Sequence, residues 1–244
     1  AVSGVLVGSI GPEGAFVLNG LSFMAVLVAL IFVRVSTREQ PASQASLGAN
    51  LVEGARYLAG ERAILSIIAV MTIVSLFVLP YQTLLPVFAR DILQVGAMGL
   101  GLLTASAGFG AILGALVVAN LSRSRRGMLI MALMLGLSPF TVAFSISRTF
   151  WVSCAMLALV SGGIVALKTL GITLIQIQTR DELRGRVTSI LLLILGATPR
   201  LGGLVAGYLA NGLGAPFALG LGALGCLVCG MFALVKFPCI RELP

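Results

Sequence analysis

The sequence contains no histidine, and charged residues make up only 10% of its 244 positions. Lack of histidine removes HExxH metalloprotease sites, Ser-His-Asp triads and histidine-ligated haem together. Scarcity of charge leaves too little polar surface to keep a folded chain in water, since a soluble domain averages about 25% charged residues. No Asp or Glu falls inside a long apolar run, so the paired carboxylates of an intramembrane protease are absent and the reading is of a non-enzyme. Cysteine is thin: Cys154, Cys226 and Cys229 lie in apolar runs and Cys239 in the tail. The Cys226-x-x-Cys229 spacing has neither the βαβ context of a redox pair nor a second ligand pair for a metal, so these residues read as small helix fillers. There is no P-loop. Gly108, Gly110 and Gly114 are spaced G-x-G-x-x-x-G with no strand before them, which fits close helix packing and not a nucleotide fingerprint. Gly203 and Gly207 repeat that small-x-x-x-small spacing. No cofactor and no metal are expected.

Apolar residues supply what remains, at 59% of the chain, with a mean hydropathy of +1.11. A helix needs about 20 apolar residues to cross the hydrocarbon core. Seven stretches qualify, at 15–33, 64–89, 98–121, 128–147, 150–177, 189–210 and 216–235. The run from Ala1 to Ile10 would reach only about 15 Å as a helix, half the hydrocarbon thickness. It reads as the end of a span whose start lies upstream, followed by a tight turn at Gly11-Pro12-Glu13-Gly14. Residues 34–63 form the one long polar segment and end in an amphipathic piece, Leu51 to Leu58, with the pattern of an interfacial helix.

A net charge of +8 raises the question of nucleic acid. The basic residues, however, sit between the apolar runs, where the positive-inside bias places them. Allocating connections alternately to two sides gives Arg34, Arg38, Arg56, Arg62, Arg123, Arg125, Arg126, Arg180, Arg184, Arg186, Lys236 and Arg241 to one side, and only Arg90 and Arg148 to the other. The first side reads as cytoplasmic: the linker 36–63, the loops near 122–127 and 178–187, and the C-terminus. The chain is expected as a multi-pass protein of the inner (plasma) membrane, with the lipid bilayer as solvent and no nucleic-acid partner. Six spans after a long linker suggest the second half of a two-halved bundle built from six-helix repeats.

Two cations lie inside spans, Lys168 and Arg200, and both read as close to the bilayer midplane. An ionised side chain there costs about 2.5 to 3.5 kcal/mol on insertion scales, so each is expected to face the bundle interior and meet a partner or a solute. Arginine offers a fork of donors suited to carboxylate-like groups. With Tyr81, Gln82 and Gln176, they form the candidate cavity lining; the plainer reading is snorkelling and interhelical hydrogen bonding. Pro80, Pro86, Pro139 and Pro199 each remove a backbone donor and are expected to bend or interrupt their helices, and Pro199 beside Arg200 points to a cavity wall. Asp181, Glu182, Arg184 and Arg186, with Arg123, Arg125 and Arg126, read as a cytoplasmic charge network able to form in one state and open in another.

The segments Ala15-Phe16-Val17-Leu18-Asn19-Gly20-Leu21-Ser22-Phe23, Leu79-Pro80-Tyr81 through Leu85-Pro86-Val87-Phe88-Ala89-Arg90-Asp91, Gly108-Phe109-Gly110-Ala111-Ile112-Leu113-Gly114 and Asp181-Glu182-Leu183-Arg184-Gly185-Arg186-Val187 resemble the major facilitator superfamily. More narrowly they are similar to its bacterial secretion-effector branch, which includes enterobactin exporters and relatives of macrolide efflux pumps. The resemblance implies an all-α membrane bundle with a partial helix 5 and helices 6 to 12. It implies residues 1–35 as the end of the N-terminal half, 36–63 as linker and 64–244 as the C-terminal six-helix half, with the rest of the N-terminal half as a partner within the same chain. It also implies proton-coupled export of a small molecule by alternating access; a lipid or lysolipid flippase of the same fold and a non-transporting truncated membrane protein are the alternatives. In this branch the loop between helices 8 and 9 commonly carries L-S-D-R, the Asp of which gates the cytoplasmic side. Here Leu121-Ser122-Arg123-Ser124-Arg125-Arg126 lacks that acid.

Overall fold

The computed structural model describes residues 2–32, 47–120 and 126–236, and these form helices joined by short turns. In order they are α1 (Val2–Phe32), α2 (Leu47–Gly60), α3 (Arg62–Phe77), α4 (Tyr81–Val87), a single π-helical turn (Phe88–Ile92), α5 (Gly96–Asn120), α6 (Arg126–Ile146), α7 (Phe150–Gln178), α8 (Arg184–Leu213) and α9 (Ala215–Lys236). No strand occurs among the described residues. In lipid no water satisfies a free N–H or C=O, so an apolar chain of this kind closes its backbone hydrogen bonds within each span. Two buried threonines follow the same economy: Thr141 Oγ1 donates to Leu137 O (2.8 Å) and Thr179 Oγ1 to Ile175 O (2.6 Å), each four residues back along the chain.

Among the described residues, six spans are long and apolar enough to cross a membrane: Arg62–Ile92, Gly96–Asn120, Arg126–Ile146, Phe150–Gln178, Arg184–Leu213 and Ala215–Leu234. The further expected span, 15–33, falls in α1, where Phe16–Phe32 is a shorter apolar stretch and Val33 lies outside the described residues. The tight turn expected at Gly11 to Gly14 does not form, and α1 runs straight through it.

The first crossing is broken, as Pro80 and Pro86 suggested. α3 stops at Phe77, Val78 to Pro80 make a turn, and α4 restarts at Tyr81. Pro80 has no N–H to offer Leu76 O, and Tyr81 N–H turns to Val78 O (3.2 Å) in place of Phe77 O. Pro86 sits within α4, which passes directly into the π-helical turn. There Phe88 stacks on Phe144 of α6, with ring centroids 4.9 Å apart. Pro139 and Pro199 are carried inside α6 and α8 without interrupting them.

Lipid tails are as apolar as leucine, so close packing, more than the hydrophobic effect, selects which helices meet. α3 is central and packs on α7, α8 and α9; its Ile67, Val70 and Met71 are fully buried. α5 packs chiefly on α7, and the reason is small residues on both. A Cβ on Gly110 would lie 2.0 Å from Ala158 O, and one on Gly114 2.1 Å from Gly162 O. The Gly110/Gly114 spacing thus does what its pattern suggested. Gly203 and Gly207 divide: a Cβ on Gly203 would press on Thr83 Oγ1 at 2.9 Å, whereas Gly207 faces open space. The closest approach of α8 comes one residue earlier, at Gly202. The amphipathic segment of the linker is α2, whose Leu58 is buried while Glu53 and Arg56 stay exposed; it packs on α8 and α3.

Candidate functional site

The interruption between α3 and α4 places polar side chains at depth. Tyr81 opens α4 with its ring 3% exposed, and Gln82 and Thr83 follow it on the open side. A cavity of about 320 Å³ lies between α4 and α5, lined by Tyr81, Gln82, Leu85 and Pro86 on one wall and by Leu100, Thr104 and Ala107 on the other. Gln82 Nε2 approaches Tyr81 OH at 3.5 Å, the outer limit of a hydrogen bond, which leaves the amide its donors for another partner. Thr104 Oγ1 is committed to Leu100 O at 2.8 Å. Thr104 carries no charge and no distinctive spacing, and sequence reading missed it for that reason.

Lys168 lies ten residues before Gln178, about 15 Å along α7 from that end. Three close contacts fix how α7 is turned: Gly171 against Met71 of α3, Ala158 and Gly162 against Gly110 and Gly114 of α5, and Gly163 against Leu137 of α6. At about 100° per residue, Lys168 falls in the sector between the α3-facing and α5-facing sides, away from α6. It does not line the Tyr81 cavity: the register of Gly110 on Ala158 and Gly114 on Gly162 sets Ala107, the nearest cavity residue of α5, roughly 20 Å along α7 from Lys168. Lys168 is half-buried and has no ion-pair partner among the described residues.

Arg200 lies on the exposed face of α8, sixteen residues and about 24 Å from its start at Arg184. The helix runs on for thirteen residues beyond it to Leu213, so Arg200 sits near the middle of α8. Its Nη1 folds back to donate to Gly196 O of its own helix, so it does not tie two helices together through that bond. One turn further on, Gly203 abuts Thr83, which brings Arg200 to the α4 side of α8. α3 packs on both α7 and α8, so Lys168 and Arg200 flank the first crossing from two sides and at different depths. Gln176 is exposed near the end of α7, two residues before Gln178.

The charge network resolves into separate pairs. Arg184 Nη2 meets Asp181 Oδ1 at 2.6 Å on the surface at the start of α8. Arg186 Nη1 meets Glu53 Oε2 of α2. Beside it, a Cβ on Gly54 would press on the Ile190 side chain at 2.8 Å, so α2 lies close against α8 there. Glu53 had no assigned role in the sequence, because nothing in one dimension sets a linker acid opposite an arginine more than a hundred residues later. Glu182 is exposed and makes no ion pair among the described residues. Arg126 begins α6, with its Nε buried and without a hydrogen-bond partner among the described residues. Arg123 and Arg125 lie outside the described residues.

No cluster of His, Cys, Asp or Glu able to hold a metal occurs among the described residues. The described residues offer neutral hydrogen-bonding groups at a broken helix, with a cation on each of two helices that pack on it.

Comparison with known proteins agrees with this architecture. Residues 1–242 match the model of the transmembrane secretion effector family. Multidrug efflux pumps named Tap, from Mycobacterium bovis and Mycobacterium tuberculosis, are 27% identical over 252 residues, covering 100% of this chain and 58% of the pump. The chain thus spans 58% of the length of these curated relatives.

Proposed function

We infer the function from a plain premise: the chain belongs to the transmembrane secretion effector family of the major facilitator superfamily. It is a multi-pass membrane protein of a family of small-molecule exporters. Beyond that, we propose secondary active export of a drug, siderophore or similar metabolite by alternating access, with a proton as the coupling ion. The division into the end of an N-terminal half (1–35), a linker (36–63) and a C-terminal half (64–244) belongs to the same reading, as does a cytoplasmic face carrying the linker, the arginine-rich loops and the C-terminus.

The observation that carries the proposal is the break between α3 and α4. Beside it lies a cavity lined by Tyr81, Gln82 and Thr104, and the helices that carry Lys168 and Arg200 both pack on the same crossing. Broken helices survive at membrane depth where they line a cavity, and ionisable residues there mark solute pathways. A solute with anionic or hydrogen-bond-accepting groups suits two cations with no acid among the described residues paired to them. An ion-pair set at the start of α8, Arg184 with Asp181 and Arg186 with Glu53, would brace one end of the bundle in one state and release in the other.

The test is export by the full-length protein in cells lacking other pumps, with candidate siderophores and macrolides supplied singly. Lys168→Gln with Arg200→Gln should abolish export of an anionic solute while the protein stays folded in the membrane. Unchanged export by the double variant would remove the cavity assignment, and no export of any candidate by the wild type would remove the transport reading.

A further inference from the structure

A second opening lies on the other side of α7. It is an apolar groove of about 460 Å³ between α5, α6 and α7, floored by Gly110, Gly114, Gly136, Gly162 and Gly163. α5 and α6 follow each other in sequence, yet each packs on α7, so a cleft stays open between them. The groove lies on the α5- and α6-facing sides of α7, whereas Lys168 lies between the α3- and α5-facing sides. Its lining shares no residue with the cavity at Tyr81, so the two are distinct. Its rim residues Leu113, Val117 and Leu159 are exposed, and it has no polar side chain in its lining.

On α6 the lining residues Leu129, Leu133, Gly136 and Phe140 recur at three- and four-residue steps, so they form one stripe along the helix. Extending the stripe back by one turn reaches Arg126. From Leu129 to Phe140 the stripe rises about 16 Å, roughly half the ~30 Å hydrocarbon thickness, which is the depth of one leaflet. Arg126 stands at the mouth where α6 enters the membrane, with Arg123 and Arg125 beside it in sequence and no acid between Asn120 and Arg148. An apolar slot one leaflet deep that ends at Arg126, with no acid nearby in sequence, is complementary to a phospholipid: acyl chain in the slot, phosphate at the arginine.

We propose that the groove between α5, α6 and α7 is a binding site for an anionic phospholipid of the arginine-rich leaflet, held by its headgroup at Arg126 and by one acyl chain along Leu129 to Phe140. The lipid is a bound component of the bundle and not the transported solute.

Native mass spectrometry of the full-length protein released from detergent would count lipids retained when phosphatidylglycerol or phosphatidylcholine of identical chains is titrated in. Phosphatidylglycerol should be retained preferentially. Arg126→Gln should weaken it about fivefold, as expected of about 1 kcal/mol per basic residue near the surface. Gly136→Leu should fill the slot and lower occupancy of both lipids, and it endangers folding little, because a Cβ on Gly136 meets nothing within 4 Å. Unchanged helical circular dichroism and elution volume would show both variants folded. Equal retention of the two lipids by the wild type would overturn the headgroup assignment. Loss in Arg126→Gln without loss in Gly136→Leu would leave only a surface charge effect and overturn the groove. Because the readout is lipid count, failure here is separate from failure of export.

Discussion

The carbonyl oxygen of Leu76, which Pro80 leaves without its helical donor, faces the backbone of Gly202, and a Cβ built on Gly202 would stand 2.1 Å from it. The same break turns Phe77 O toward Gly222 of α9, where a Cβ would come within 2.6 Å. The interruption that opens the candidate site on one side is therefore seated against glycines of α8 and α9 on the other. A freed carbonyl in lipid needs a neighbour that can come close, and only a residue without a side chain reaches it here.

Gly202→Ala should accordingly force α3 and α8 apart, because the clash is with backbone and with the Pro80 ring at 2.9 Å. A loss of about 1–3 kcal/mol is the usual cost of such overpacking. Unfolding in mixed micelles would measure it, beside Gly207→Ala, which adds its methyl to open space and should be neutral or slightly stabilising. Equal midpoints for the two variants would refute the packing argument.

The α5 to α7 contact should be equally intolerant. Gly114→Leu has to displace Gly162 O and should cost folded yield severely, while Gly108→Leu projects into open space and should leave yield near wild type. Detergent-stable protein recovered by gel filtration gives the comparison, and comparable recovery of both would count against direct seating of α5 on α7.

Glu53 and Arg186 join the linker helix to α8, but their side chains are 57% and 27% exposed. A double-mutant cycle with Glu53→Gln and Arg186→Gln should therefore return at most about 1 kcal/mol of coupling. Raising salt should diminish it. Zero coupling at low salt would deny the pair any role in holding α2.

Reporter fusions placed after Arg126 and after Arg148 should lie on opposite faces of the membrane, since α6 is one crossing. Activity in the same compartment would undo both the span assignment and the sidedness.

At the site, Gln82→Leu removes the exposed amide of the α4 wall while keeping comparable bulk. In the full-length protein it should raise the solute concentration giving half-maximal export several-fold with membrane abundance unchanged. An unaltered concentration dependence would place the solute away from α4.

How far the sequence reached depends on the kind of feature. The spans from Arg62 onward, the helical linker segment, the break at Pro80 and the family were legible, because each follows from a constraint acting along the chain: about 20 apolar residues per crossing, an amphipathic period, a missing N–H. A membrane imposes these one-dimensional rules more strictly than water does. The tertiary structure alone decided which surfaces meet. It chose Gly202 over Gly207, gave Arg186 to Glu53 in place of Asp181 or Glu182, folded Arg200 back on Gly196, and left a slot between α5 and α6. Such outcomes depend on the rotation and axial offset of whole helices, and a proline break or a π-helical turn shifts those by fractions of a turn that residue spacing does not record.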